Sequence, residues 1–176
     1  RGFVQINENE ALLKNIEEKA TEILNKELSN TKSNFASMKS NLTTLCYIEH
    51  EDSYLMMHRV KKEKDVNKDK WIGLGGKIEE GESPFDCVRR EVFEEVGLKV
   101  ENLKYRGIVT FVSNIYGTEY MHLFTSDSFS GELKECDEGE LQWISREFLD
   151  SLPKWEGDKI FLKLLWEDAP FFLLKL

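Results

Sequence analysis

Residues 75–98 read GGKIEEGESPFDCVRREVFEEVGL, and the end signals of that stretch leave it little choice of structure. Ser83 is a good N-cap residue, Pro84 suits the first helical position, and Asp86 stands three residues beyond the cap. Gly97 suits the left-handed position that ends a helix. These signals predict a helix over 84–96. Phe85, Val88, Val92 and Val96 share one of its faces and can be buried. Glu91, Glu94 and Glu95 group on another face, with Arg90 to one side.

Like charges one turn apart repel, and no lysine is interleaved through this helix to relieve them. Such a run is commonly a solvated face. The competing reading is a cation site. The helix is entered through GLGGKIEEGES, whose glycines allow close backbone approach, and grouped carboxylates suit hard cations such as Mg²⁺ or Mn²⁺. Ions of that kind neutralise charge during displacement at phosphorus.

The same stretch resembles the Nudix box. Gly76, Glu82, Arg90, Glu91, Val92, Glu94, Glu95, Gly97 and Leu98 stand at its constrained positions, and all of them match. The resemblance implies metal-dependent hydrolysis of a nucleoside diphosphate linked to a further group, with Mg²⁺ as cofactor and Mn²⁺ as substitute. It implies that Glu91, Glu94 and Glu95 hold the metal, with the carbonyl of Gly75 as a backbone ligand. One of the glutamates accepts a proton from the attacking water. Arg90 orients a box glutamate, Glu82 supports the loop, and Cys87 fills space.

The resemblance spans roughly residues 42–176 and is nearest to the MutT-type nucleoside triphosphate pyrophosphohydrolases, through KWIGLGGKIEEGES, MHLFTSDSFSGELKECDEGELQWI and LPKWEGDKIFLKLL. It implies that Glu138 completes the metal or base set, the alternative being an acidic surface turn. Trp155 matches an indole that stacks on a purine, and Asp158 a carboxyl that bonds the base edge; an aromatic face and a polar group are what a base pocket needs. Core packing is the other reading of Trp155. Arg59 falls near a basic residue lining the nucleotide site, and Phe111 near a pocket wall or the core. Ile72 and Gly157 replace polar base readers, which weakens discrimination for an oxidised purine such as 8-oxo-dGTP. The implied function is hydrolysis of a purine nucleoside triphosphate to monophosphate and pyrophosphate, as nucleotide-pool sanitation. Alternatives are a nucleotide sugar, a dinucleoside polyphosphate, a capped RNA end, or a non-catalytic ligand sensor.

A formal charge of -9 argues against a uniformly basic nucleic-acid surface. Apolar runs such as Phe171–Leu174 are too short to span a bilayer, and no signal peptide is evident. Cys46, Cys87 and Cys136 match no zinc spacing and suit a reducing, cytoplasmic setting.

Ahead of this domain, residues 8–28 carry Leu12, Leu13, Ile16, Ala20, Ile23, Leu24 and Leu28 at helical spacing. A Ser- and Asn-rich linker follows. The expected organisation is an amphipathic helix and linker over 1–37, packing on the domain or a second copy in a homodimer, and a Nudix domain over 38–176. LTTLCYIEH and YLMMHRV predict a hairpin. LKYRGIVTFV and EYMHLFTSDSF predict longer strands, LQWI a short one, SREFLDSL a short Ser-capped helix, EGDKIFLKLLWE a helix and PFFLLKL a last strand. Trp71 is expected as a wedge under the loop, Trp143 and Trp166 in the core. The pattern is α+β or a mixed-sheet sandwich, and the resemblance implies the Nudix-type α/β/α sandwich with a mixed sheet.

Overall fold

The computed structural model describes residues 18–27 and 40–176. Residues 18–27 are a helix, α1, with exposed side chains, Ile23 and Leu24 among them. The rest of the predicted N-terminal helix, the linker and the 37/38 boundary lie outside the described residues.

From Ser40 the chain builds one mixed sheet. β1 (Ser40–His50) and β2 (Ser53–His58) form the predicted hairpin, turned by Glu51 and Asp52 with positive φ at both. Two central residues in that conformation match the right-handed twist of the flanking strands. β3 (Trp71–Ile72) pairs with β2. β5 (Leu103–Ser113) and β6 (Gly117–Ser126) form a long antiparallel pair, and β6 runs parallel to β1. β8 (Glu140–Ser145) pairs with β2, and β9 (Phe172–Lys175) runs parallel to β5.

The sequence expectation of one strand through EYMHLFTSDSF is corrected. The chain leaves β6 at Ser126, and Phe129–Ser130 (β7) pairs instead with Lys99–Val100 (β4), an unpredicted strand, in a separate small sheet. SREFLDSL is a 3-10 helix over Arg146–Ser151, and Ser145 makes no side-chain cap bond.

Helix α2 (Pro84–Val96) covers one face of the sheet. Its Val88, Val92 and Val96 pack with Cys46, Ile48, Leu55, Met57 and Phe124. Helix α3 (Glu156–Trp166) covers the other, where Phe161, Leu162 and Leu165 meet Tyr47, Tyr54, Met56, Val109 and Leu123. Alternation along the strands sends each residue to one layer or the other. Trp166 is 43% exposed rather than core, because the buried stripe of α3 passes through Phe161, Leu162 and Leu165. Trp143 is half-buried and stacks on Phe129. Trp71 lies flat on His58, ring centroids 4.7 Å apart. Among the described residues no helix is long and apolar enough to cross a membrane.

Candidate active site

The caps of α2 form as the residues dictate. The Ser83 hydroxyl accepts from Asp86 N–H at 3.2 Å, and the Asp86 carboxylate accepts from Ser83 N–H at 3.1 Å. Gly97 closes the helix at φ 76°. Cys87 joins the buried face, while Phe85 is 37% exposed and edges against Phe124. The Cys87 thiol donates to Lys77 O at 3.3 Å, which makes it part of the floor beneath the glycine loop.

That loop is laid along β1. Thr44 N–H donates to Gly76 O at 2.8 Å, Cys46 N–H to Leu74 O at 2.7 Å, and Leu74 N–H to Cys46 O at 2.9 Å. A side chain at Gly75 would run into the Thr44 carbonyl, and one at Gly76 into the Glu91 carboxyl. Both glycines are thus required by close approach, one of backbone and one of an acidic side chain.

Tertiary packing gives the three helix glutamates different surroundings. Glu95 accepts from Gly75 N–H at 3.0 Å. Burial pushes its carboxyl up to about 8, the charges of Glu138 and Glu91 adding to the rise and the Gly75 N–H opposing it. Glu91 accepts from Arg90 Nη1 at 2.9 Å beside Gly76. Glu94 has a side chain 58% exposed and accepts from Arg90 Nη1 at 3.1 Å.

Arg90 is the hub. Nε and Nη2 hold the two oxygens of Glu82 at 2.6 and 2.9 Å, and Nη2 also donates to Lys77 O at 3.1 Å. A planar guanidinium matches a carboxylate in this two-pronged way. The Arg90 bond holds Glu82 well below the usual carboxylate range, at about 2.

Glu138 approaches the same centre from the loop before β8. Arg59 Nη1 and Lys62 Nζ both donate to it, and Arg59 Nε donates to Asp65 at 2.6 Å. Burial raises the Glu138 pKa, but Lys62 and Arg59 outweigh it and the net shift is downward. Among the described residues no three acidic or histidine side chains converge tightly enough to form a ready ligand set; Arg90 draws Glu91 and Glu94 to itself. The donors nonetheless suit a hard divalent ion. Glu91 and Glu138 both oppose ionisation of the buried Glu95 beside the Gly75 loop, and an added cation relieves that cost.

The remaining residues named from the sequence fall into two places. Arg59 and Ile72 lie on the α2 side, Ile72 packed against the α2-side core. Trp155, Asp158 and Phe111 come together at the start of α3, on the other side. Trp155 is the N-cap residue of α3 and is 39% exposed, not core. Its indole N–H donates to Asn67 Oδ1 at 2.8 Å, and Lys70 Nζ lies 4.5 Å from the ring centre. Phe111 packs into the space a side chain at Gly157 would occupy. Asp158 is buried, and burial pushes its carboxyl up to about 7. Asn67 and Lys70, which fix the indole, carry no motif or periodicity in the sequence, where they lie in the charged stretch VKKEKDVNKDK.

A model of the NUDIX domain family matches residues 39–165. The chain belongs to the Nudix family. A Nudix hydrolase of Bacillus subtilis, YvcI, itself uncharacterised, is 32% identical over 120 residues, covering 65% of this chain and 72% of that protein. The oxidized purine nucleoside triphosphate hydrolase of Danio rerio is 34% identical over 112 residues, 62% of this chain and 71% of that one. In three dimensions the chain is similar to the mutator MutT protein of Bacillus halodurans, with a TM-score of 0.66, 28% identity, and coverage of 77% of this chain and 89% of that one. The protein is a MutT-like Nudix hydrolase with the α+β sandwich of that family.

Proposed function

We propose that this Nudix hydrolase cleaves a purine nucleoside triphosphate to the monophosphate and pyrophosphate. The observation carrying this reading is the exposed Trp155 indole, fixed edge-on by Asn67 and next to a buried Asp158. A held aromatic plane beside a polar group serves to stack and orient a base. Stacking on such a ring contributes roughly 1–3 kcal/mol and favours the larger purines.

The acidic centre then faces the phosphates. Glu91, Glu94, Glu95, Glu138 and the Gly75 carbonyl are the groups that would hold Mg²⁺ or Mn²⁺. A bound divalent ion would neutralise phosphate charge and lower the pKa of the attacking water. Arg90 fixes the direction of Glu91, and Gly75 N–H fixes Glu95. A carboxylate of this cluster accepts the water proton as the new phosphorus–oxygen bond forms and the bond to the leaving pyrophosphate breaks. Lys62 and Arg59 hold Glu138 at the rim and add positive charge that favours a polyphosphate.

The test compares kcat/KM for dGTP, 8-oxo-dGTP, dATP, dCTP and a nucleotide sugar, in wild type and Trp155→Ala, with product identification. Purine triphosphates should be preferred, with modest discrimination for 8-oxo-dGTP, and Trp155→Ala should raise their KM more than it lowers kcat. A preference for dCTP or for the sugar, or an indifferent Trp155→Ala, would sink the purine reading.

A further inference from the structure

Glu119 sits on β6 in a position that strand alternation sends to the α3 layer, in phase with Met121 and Leu123, both buried there. An acidic residue on that side of a strand needs an explanation. Glu119 is half-buried. Its register partner on β5 is Phe111, whose ring abuts Gly157, the residue before Asp158. On its other side lies β1, where Thr43 Oγ1 donates to Glu119 Oε1 at 2.6 Å. Glu119 and Asp158 thus flank the patch formed by Phe111 and Gly157.

The two carboxyls are close enough to feel each other. Burial is the main cause that raises Asp158 to about 7, and Glu119 adds to it; the Trp155 backbone N–H, Lys154 and Lys70 oppose the rise. Among the described residues neither acid has an ion-pair partner, and no donor engages Glu119 Oε2. Lys154 is instead turned to the carbonyls of Leu149 and Leu152, and Lys70 to the Trp155 ring. Asp158 has the Trp155 backbone N–H as a donor, whereas Glu119 Oε2, half-buried beside an apolar wall, is free to accept from a ligand.

We propose that Glu119 is a specificity-determining residue of the base pocket, accepting hydrogen bonds from an amino group and an adjacent ring N–H of a guanine-type base. The inference rests on the purine reading above. A guanine edge offers an oxygen, a ring N–H and an amine in sequence. Asp158, whose burial favours the protonated form, donates to the oxygen, and Glu119 accepts from the two N–H groups. Thr43 fixes which oxygen of Glu119 is turned away from the base and which is presented to it.

Glu119→Gln tests this directly. The amide keeps the shape, and its oxygen still accepts from Thr43, so its NH₂ faces the base amine donor to donor. Wild type should favour dGTP over dITP, which lacks the amine, by about tenfold, the scale of one hydrogen bond lost where the carboxylate still holds the ring N–H. In Glu119→Gln that ratio should fall towards one, with kcat/KM for dGTP falling more than that for dITP, which keeps only the ring N–H. NMR titration of the Asp158 carboxyl carbon in the nucleotide-free protein gives a readout independent of turnover, and its midpoint should move down once the negative neighbour is gone. An unchanged dGTP/dITP ratio or an unmoved midpoint, with Trp155→Ala still raising KM, would overturn the role of Glu119 and leave the purine reading standing. An indifferent Trp155→Ala would overturn both.

Discussion

Arg90 and Glu82 face each other fork to fork, with Nε and Nη2 of the arginine 2.6 and 2.9 Å from the two carboxylate oxygens. The remaining nitrogen of the guanidinium, Nη1, reaches Glu91 and Glu94. Glu82 thus sets the plane of Arg90, and Arg90 sets Glu91. The pairing joins the loop before α2 to the acidic face of the helix.

Arg90→Lys keeps the charge and removes the fork. Turnover should fall about 10–100-fold, the range seen when groups that orient metal ligands are lost. Apparent Mn²⁺ affinity, measured by kinetic titration, should weaken in parallel, with fold and melting temperature little affected. Unaltered turnover would show that Glu91 does not depend on this arginine.

Glu95→Gln removes a buried charge and keeps the shape. Turnover should drop by at least about two orders of magnitude, the scale of a key electrostatic group. In EDTA the variant should melt no lower than wild type, since an ionised carboxylate held in this place is costly. Glu94→Gln, on the exposed side of the same face, should lose less. The kcat series with Mg²⁺ and thermal melts without metal check both statements.

Gly76→Ala places a methyl group on the Glu91 carboxyl, and Gly75→Ala places one on the Thr44 carbonyl. A side chain can swing aside more readily than backbone. Gly76→Ala should therefore fold and lose activity, whereas Gly75→Ala, at φ 152°, should cost more than about 2 kcal/mol of stability. Urea unfolding with parallel assays separates the two outcomes.

The folded pKa of Asp158, about 7 against an ordinary 3.8, makes stability pH-dependent. Because the folded state holds the proton more tightly, its contribution is fully present below pH 3.8 and is lost as pH rises through 7. Each unit of such a shift corresponds to about 1.4 kcal/mol. Asp158→Asn should flatten the decline of stability with pH across this window, measured by urea unfolding at several pH values. A slope equal to that of wild type would show that Asp158 ionises freely in the folded protein.

Among the described residues the buried Tyr54 hydroxyl has no hydrogen-bond partner. Tyr54→Phe therefore removes no bond while keeping the ring packed against Tyr47, 5.4 Å between centroids. Its unfolding free energy should lie within about 0.5 kcal/mol of wild type or above it. A loss of more than about 2 kcal/mol would reveal a partner for that hydroxyl.

Helix α2 was readable from the chain alone, because its caps and apolar stripe are local: Ser83, Pro84 and Gly97 act on their own backbone, and Val88, Val92 and Val96 recur with the helical turn. The carboxylates on its acidic face were legible for the same reason, as was the α+β class from the strand and helix patterns, while the α/β/α order rested on the family resemblance. What separates Glu95 from Glu94 is not local. One is covered by the Gly75 loop and the other is exposed, although the helix period places them on neighbouring sides of one face. The meeting of Thr43, Phe111, Glu119 and Asp158 likewise left no mark in the sequence, since strand pairing and the packing of α3 bring together residues up to 115 positions apart, from 43 to 158, and no neighbour along the chain signals it. β4 and β7 are two residues each, too short to show a period, and exist only because each finds the other. The sequence determined which groups the protein carries and how its helices begin and end; the tertiary structure decided which of those charges are buried and which distant side chains meet, because burial and long-range pairing are properties of the packed sheet and not of any one segment.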